Sequence, residues 1–208
     1  MTFINSYHIF DRPFNHNKMP RTEVQYGEIR EQKTNLIMQT ALELFANEGY
    51  YPTSISRIAR EAGISKGLMY NYFGGKEDLI LAIIGKGIKT LTDSLDPNHD
   101  GYLTEDEFEF HVNENFRILQ ENTDYWKLYF ATMMQPAVSK LVAVKYPDFV
   151  PPLKAVVEAY FQRKGLPDPE AEAAYFDALL DGIFLNYVMC PEGFPLERIK
   201  AMIIERFK

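Results

Sequence analysis

At 208 residues, 46% of them hydrophobic, the chain holds enough apolar material for one large or two modest cores. A single cysteine, Cys190, excludes an intrachain disulfide and fits a reducing cytoplasm, and no apolar run nears the ~20 residues of a membrane span. The net charge of −7 is unevenly spread: residues 29–89 carry eight basic against six acidic side chains, residues 1–28 are balanced, and residues 90–208 hold the acidic excess. A mildly basic module joined to an acidic body suits a nucleic-acid binder whose body must not stick to the same polyanion.

In chain order, residues 1–28 mix aromatics with Pro, Asn and His without periodicity and read as a flexible extension. They lack the cationic start and apolar stretch of a secretory signal, and Met19 is an alternative start. The spacing of Leu36, Ile37, Thr40, Ala41, Leu44 and Phe45 predicts a helix over 34–48, with Arg30 and Lys33 just before it. Thr53 and Ser54 are capping side chains ahead of Ile55, Ile58, Ala59 and Ala62. Gly63 stops that helix, and Ser65 caps a second one carrying Lys66, Gly67, Leu68, Met69, Tyr70, Asn71 and Tyr72. Two short helices around a glycine turn form a helix-turn-helix, whose second helix enters the major groove of DNA. A longer helix is predicted from Lys76 to Ser94. Further helices are predicted over 104–120, 124–134, 151–164, 169–189 and 195–207, with Pro136 and Pro147 read as punctuation. There is no strand-like alternation and no internal repeat, so the fold class is all-α.

Thr53-Ser54-Ile55, Ile58-Ala59, the run from Ala62 to Gly67, Tyr70 to Phe73, and Lys76 with Leu79 closely resemble the DNA-binding segment of the tetracycline-repressor (TetR) family of bacterial regulators. Ile37, Ala41, Leu44, Phe45 and Gly49 resemble that family's first helix, and the likeness covers roughly residues 31–85. The resemblance implies a three-helix helix-turn-helix head over 29–90 on an effector-binding and dimerisation domain over 91–208, about nine helices in all. It implies DNA contacts from Arg30, Lys33, Thr53, Ser54, Ser65, Lys66, Gly67, Leu68, Tyr70, Asn71, Tyr72 and Lys76. Lys66 is placed to reach a guanine edge or a phosphate, Leu68 a thymine methyl, and Lys76 a phosphate at a helix N-terminus.

One head buries little groove surface, so a two-fold dimer on a palindromic operator is expected. Its face is assigned to Phe176, Leu179, Leu180, Ile183, Phe184 and Tyr187 with Ile199, Met202 and Ile203, whose alternative is simple core. An apolar effector pocket is expected among Phe116, Leu119, Trp126, Tyr129, Phe130, Met133, Met134, Tyr160 and Phe161, again with core packing as the alternative.

Residues 96–107, DPNHDGYLTEDE, spell an EF-hand loop. Asp96, Asn98, Asp100, the Tyr102 carbonyl, Thr104 and Glu107 would hold the calcium ion. The same residues also make turns and a capping box, and both readings stand at this point. No other cofactor is required. His8, His16, His99 and His111 lack HExxH spacing, and no GxSxG or phosphate-loop pattern occurs, which argues against an enzyme. The leading expectation is a cytoplasmic homodimeric repressor released by a small molecule; a calcium-responsive regulator is the alternative.

Overall fold

The computed structural model describes residues 23–145 and 150–208. Ten helices follow one another among them: α1 (Glu23–Glu48), α2 (Ile55–Glu61), α3 (Lys66–Met69), α4 (Lys76–Thr92), α5 (Glu105–Glu121), α6 (Thr123–Met133), α7 (Pro136–Lys145), α8 (Val150–Arg163), α9 (Pro169–Met189) and α10 (Leu196–Phe207). The described residues are helix and connecting turn throughout. Residues 1–22 of the expected extension, Met19 and Pro147 lie outside the described residues, while residues 23–28 already belong to α1. α7 is an addition to the expected set, because Pro136 opens a helix instead of ending one; a first-turn proline forfeits no internal hydrogen bond.

One apolar cluster runs through the head and the body. Ile37, Ala41, Leu42 and Phe45 of α1 meet Leu79, Ile80, Ile83 and Ile84 of α4, and the cluster continues into α5, α6, α8, α9 and α10. In the body, Phe108 stacks on Tyr160 with ring centroids 5.0 Å apart and tilts against Phe176 at 5.2 Å. α6 packs on α4 through a close approach: a Cβ at Gly87 would lie 2.2 Å from the Tyr129 ring, and the Tyr129 hydroxyl donates to the Ile84 carbonyl at 3.1 Å.

The expected effector-pocket residues are mostly this core. Phe116, Leu119, Trp126, Tyr129, Tyr160 and Phe161 are buried against other side chains, Phe130 and Met133 are half-buried, and Met134 faces solvent. In this structure the aromatic and methionine residues of that set serve mainly as packing. Of that set, Tyr160 borders a small surface cleft of about 220 Å³ beside Tyr102 and Arg163. Among the described residues, the buried Trp126 Nε1 and Thr132 Oγ1 atoms have no hydrogen-bond partner.

The residues expected at a dimer face are largely packed within the chain itself. Phe176, Leu180, Ile183, Phe184 and Ile203 point into the chain's own core, with Leu179, Tyr187 and Ile199 half-buried and Met202 exposed. α9 is apolar on nearly all sides, so its core stripe leaves a second, outward one. Ala171, Ala174, Ala178 and Met189 are exposed along it, with Gly182 and Leu185 half-covered.

His111 of α5 lies in a buried polar knot. Its Nδ1 is 2.8 Å from the Ser94 hydroxyl, and Asn115 Nδ2 donates to the Leu91 and His111 carbonyls. Burial pushes the His111 pKa down from 6.5 to about 4.

Two expectations follow. Gly87→Ala drives a methyl into the Tyr129 ring and lowers unfolding free energy by about 1–3 kcal/mol, read by urea titration. The second concerns His111, which refuses a proton that the unfolded chain accepts. Its contribution is complete above pH 6.5 and is lost as the pH falls toward 4, up to ~3 kcal/mol in all. Urea midpoints for wild type and His111→Gln across that interval check it: the wild-type curve falls more steeply, and equal slopes would refute the assignment.

Candidate nucleic-acid interface

The head is assembled from caps. The Ser54 hydroxyl accepts from the Arg57 amide at 3.1 Å and starts α2, while Ile58 and Ala59 anchor that helix in the core. Gly63, at φ +66°, reverses the chain, and the Ile64 amide bonds back to the Ala59 carbonyl at 2.9 Å. Ser65 accepts from the Leu68 amide at 3.1 Å and starts α3. α3 is shorter than the sequence suggests. After Met69 the bonds tighten to i→i+3, from Asn71 to Leu68 and from Tyr72 to Met69, so Tyr70 to Tyr72 form turns. Met69 and Phe73 anchor the element from beneath.

Most of the expected contact residues are solvent-exposed. Ser54, Ser65, Lys66, Gly67, Leu68, Tyr70 and Asn71 are exposed, with Leu68 at 39% and Tyr70 at 49%. Tyr72 is half-buried beneath Arg30, whose guanidinium lies 5.4 Å from the ring centroid and donates to the Asn71 carbonyl at 3.2 Å. Arg30 therefore braces the end of α3 from α1. Lys33 is half-exposed on α1. Arg57 is paired with Glu48 and Glu61, and Arg60 leans on Glu61, which leaves Lys66 as the cation at the tip with no ion pair among the described residues.

Two expected contacts fall elsewhere. Thr53 is fully buried, its hydroxyl donating to the Gly49 carbonyl at 2.7 Å, so it cannot reach DNA. The Lys76 ammonium turns inward to the carbonyls of Tyr50, Tyr51 and Thr53 at 2.9, 3.1 and 3.1 Å and sits 4.5 Å from the Tyr50 ring centroid. Desolvation lowers its pKa. Its task is to hold the α1–α2 loop, and its three donors are already engaged.

The 96–107 loop has the turn reading. Asp96 accepts from the Asp100 and Gly101 amides, Asp100 from Tyr102, and Asn98 from Asp100. Thr104 and Glu107 form a reciprocal capping box at the start of α5. Arg163 stacks 3.9 Å from the Tyr102 ring centroid and donates to the Leu103 carbonyl. Among the described residues no group of His, Cys, Asp or Glu is gathered to hold a metal ion. In this structure the loop oxygens serve backbone amides and a helix start. Nor, among the described residues, is any helix long and apolar enough to cross a membrane.

Residues 37–83 match the family model described as bacterial regulatory proteins, tetR family. The regulator HbdR of Aromatoleum sp. (strain CIB) is 42% identical over 60 residues, 29% of this chain and 26% of that protein. The chain thus spans about a quarter of that relative's length and 19% of a second relative's. BetI 1 of Chromohalobacter salexigens is 26% identical over 174 residues, 80% of this chain and 84% of its own. The fold is that of NalD, described as the secondary repressor of the MexAB-OprM multidrug efflux pump in Pseudomonas aeruginosa. The TM-score is 0.64 at 19% identity, over 86% of this chain and 96% of that one. Together the family model and the curated relatives support a DNA-binding transcriptional regulator, a class that is not enzymatic.

Lys66→Ala should leave the urea midpoint within error of wild type. Lys76→Met should cost about 1–3 kcal/mol, because three carbonyls lose their donor. Equal stability of the two variants would contradict the inward role of Lys76.

Proposed function

We propose that this TetR-family DNA-binding regulator is a homodimeric cytoplasmic repressor that reads a palindromic operator and is released by a small apolar effector. The observation that carries it is the exposed tip of the helix-turn-helix. Lys66, Leu68, Tyr70 and Asn71 stand clear of the core on a segment held from beneath by Met69 and Phe73. A guanine or phosphate donor, an apolar contact for a thymine methyl, a hydroxyl and an amide together can both grip phosphate and read base edges.

The outward stripe of α9 supports the dimer. Alanines and a glycine let two helices approach closely, and Leu185 and Met189 add apolar area. Asp177 and Asp181 flank it on α9 as exposed carboxylates. For the effector, support comes from the body core: a molecule bearing a hydrogen-bond acceptor could engage the unpartnered Trp126 indole N–H by displacing neighbouring side chains. NalD's description as a repressor supports the sign of regulation.

Selection from random duplex DNA tests the reading. The expected product is a palindrome with half-sites spaced by the helical repeat, and lack of enrichment would reject it. Lys66→Ala should weaken binding to the selected duplex and reduce the salt slope by about one unit if Lys66 neutralises one phosphate. Ala178→Glu buries charge at the proposed dimer face, at about 3 kcal/mol or more of dimerisation free energy. Light scattering should then show a folded monomer with lost operator binding; a dimeric variant would move the interface elsewhere.

A further inference from the structure

Gln135 sits at the elbow between α6 and α7 and serves two parts of the fold at once. Its backbone carbonyl accepts from the Val138 and Ser139 amides at 2.9 and 3.0 Å and opens α7. Its side-chain amide reaches the far end of α1. Nε2 donates to the Phe45 carbonyl at 2.7 Å, and Oε1 accepts from the Tyr50 amide at 2.7 Å, 85 positions away in sequence. A primary amide carries its donor and acceptor in one plane, so two such bonds fix both its position and its orientation.

The Tyr50 residue is therefore shared. Its N–H is held by Gln135 from the body, and its C=O is held by Lys76 from α4. The same loop leads directly to the Ser54 cap of α2, and α3 packs on α2. Farther along α6, Tyr129 is fixed against α4 at Gly87 and Ile84. A shift of the α6–α7 elbow relative to α4 must then drag the 49–54 loop or break one of two short hydrogen bonds.

We infer that Gln135 is a positioning residue that couples the body to the DNA head, passing displacement of the α6–α7 elbow through its amide to the tilt of α2 and α3. The inference rests on the DNA-binding reading, and its probe is the palindromic duplex that the wild-type protein enriches from random DNA. Failure to enrich any duplex counts against that reading. With a duplex in hand, the variants decide the role of Gln135.

Gln135→Met keeps length and helix propensity and removes donor and acceptor together. Gln135→Glu keeps an acceptor for Tyr50 and sets a carboxylate against the Phe45 carbonyl. In Gln135→Met, hydrogen exchange should quicken at the Tyr50 amide and through α2 and α3, with α8 to α10 as in wild type. The ratio of affinities for the selected and a scrambled duplex should fall about fivefold or more, with a smaller fall in Gln135→Glu. A plain helix cap would lower the melting temperature and leave that ratio alone, so an unchanged ratio overturns the inference. Should Gln135→Met fail to fold, Gln135→Glu alone decides by the same ratio.

Discussion

Between α1 and α2 the chain turns through residues 49–54, and the carbonyls of Tyr50, Tyr51 and Thr53 converge on one point. Left there unpaired, they would repel one another and lose their water. The Lys76 ammonium fills that point with three donors, and the Tyr50 ring covers it. The position of α2 and α3 on α1 and α4 depends on this contact, since the short helices bury little of their own: Ile58, Ala59 and Met69 are their fully covered side chains. Arginine would be a poor replacement, because a planar fork cannot match three carbonyls arrayed around a compact charge.

The head has no separate core. α4 begins beside the loop and ends at Thr92, near the His111 knot, so one rigid rod links the DNA surface to the body. The Gly87 gap lets α6 lie close against that rod, and a bulkier residue would force the layers apart. A protein built this way has few independent joints. Rearrangement in the body reaches the head through α4 itself or through contacts with the loop that α4 holds.

The helix starts were the most legible part of the chain, because caps are local chemistry: Ser54, Ser65 and Thr104 accept the amides their positions predict. Periodicity found part of the α1 core face: Ile37, Ala41 and Phe45 are buried as their spacing predicts, whereas Leu36 is exposed and Leu42, outside the predicted stripe, is fully buried. What could not be read depended on neighbours distant in sequence. Lys76 at a helix N-terminus looks like a phosphate ligand until three carbonyls from residues 50–53 are found around it. Thr53 looks like a surface cap until α1 covers it. α9 is apolar on most sides, so no periodicity distinguishes the stripe that packs inward from the one left outside, and the larger residues proved to be the inner ones. In the 96–107 loop the oxygens that a calcium ion would use are those an Asx turn and a capping box use, and sequence does not separate the two. Gln135 carried no signal at all: a lone glutamine before a proline gives no hint of a partner 85 positions away.

The charge distribution finally bears on how the tip is used. The basic surplus of residues 29–89 is largely engaged within the head: Arg57 and Arg60 answer Glu48 and Glu61, Arg30 braces Asn71 and Tyr72, and Lys76 is turned inward. Lys66 is left beside neutral groups, the Tyr70 hydroxyl, the Asn71 amide and the Leu68 side chain. Besides the inward Lys76, Lys66 and, on α1, Lys33 and Arg30 then have no ion pair to a carboxylate among the described residues, and the salt-dependent part of binding scales with how many of them meet phosphate. A single small surface of this kind discriminates poorly between a lone site and the competing duplex around it. In the homodimer proposed above, joining two heads on one frame would raise affinity without adding cations. It multiplies the neutral base contacts while the acidic body limits non-specific adhesion. This frugal use of charge and the outward stripe of α9 make sense together.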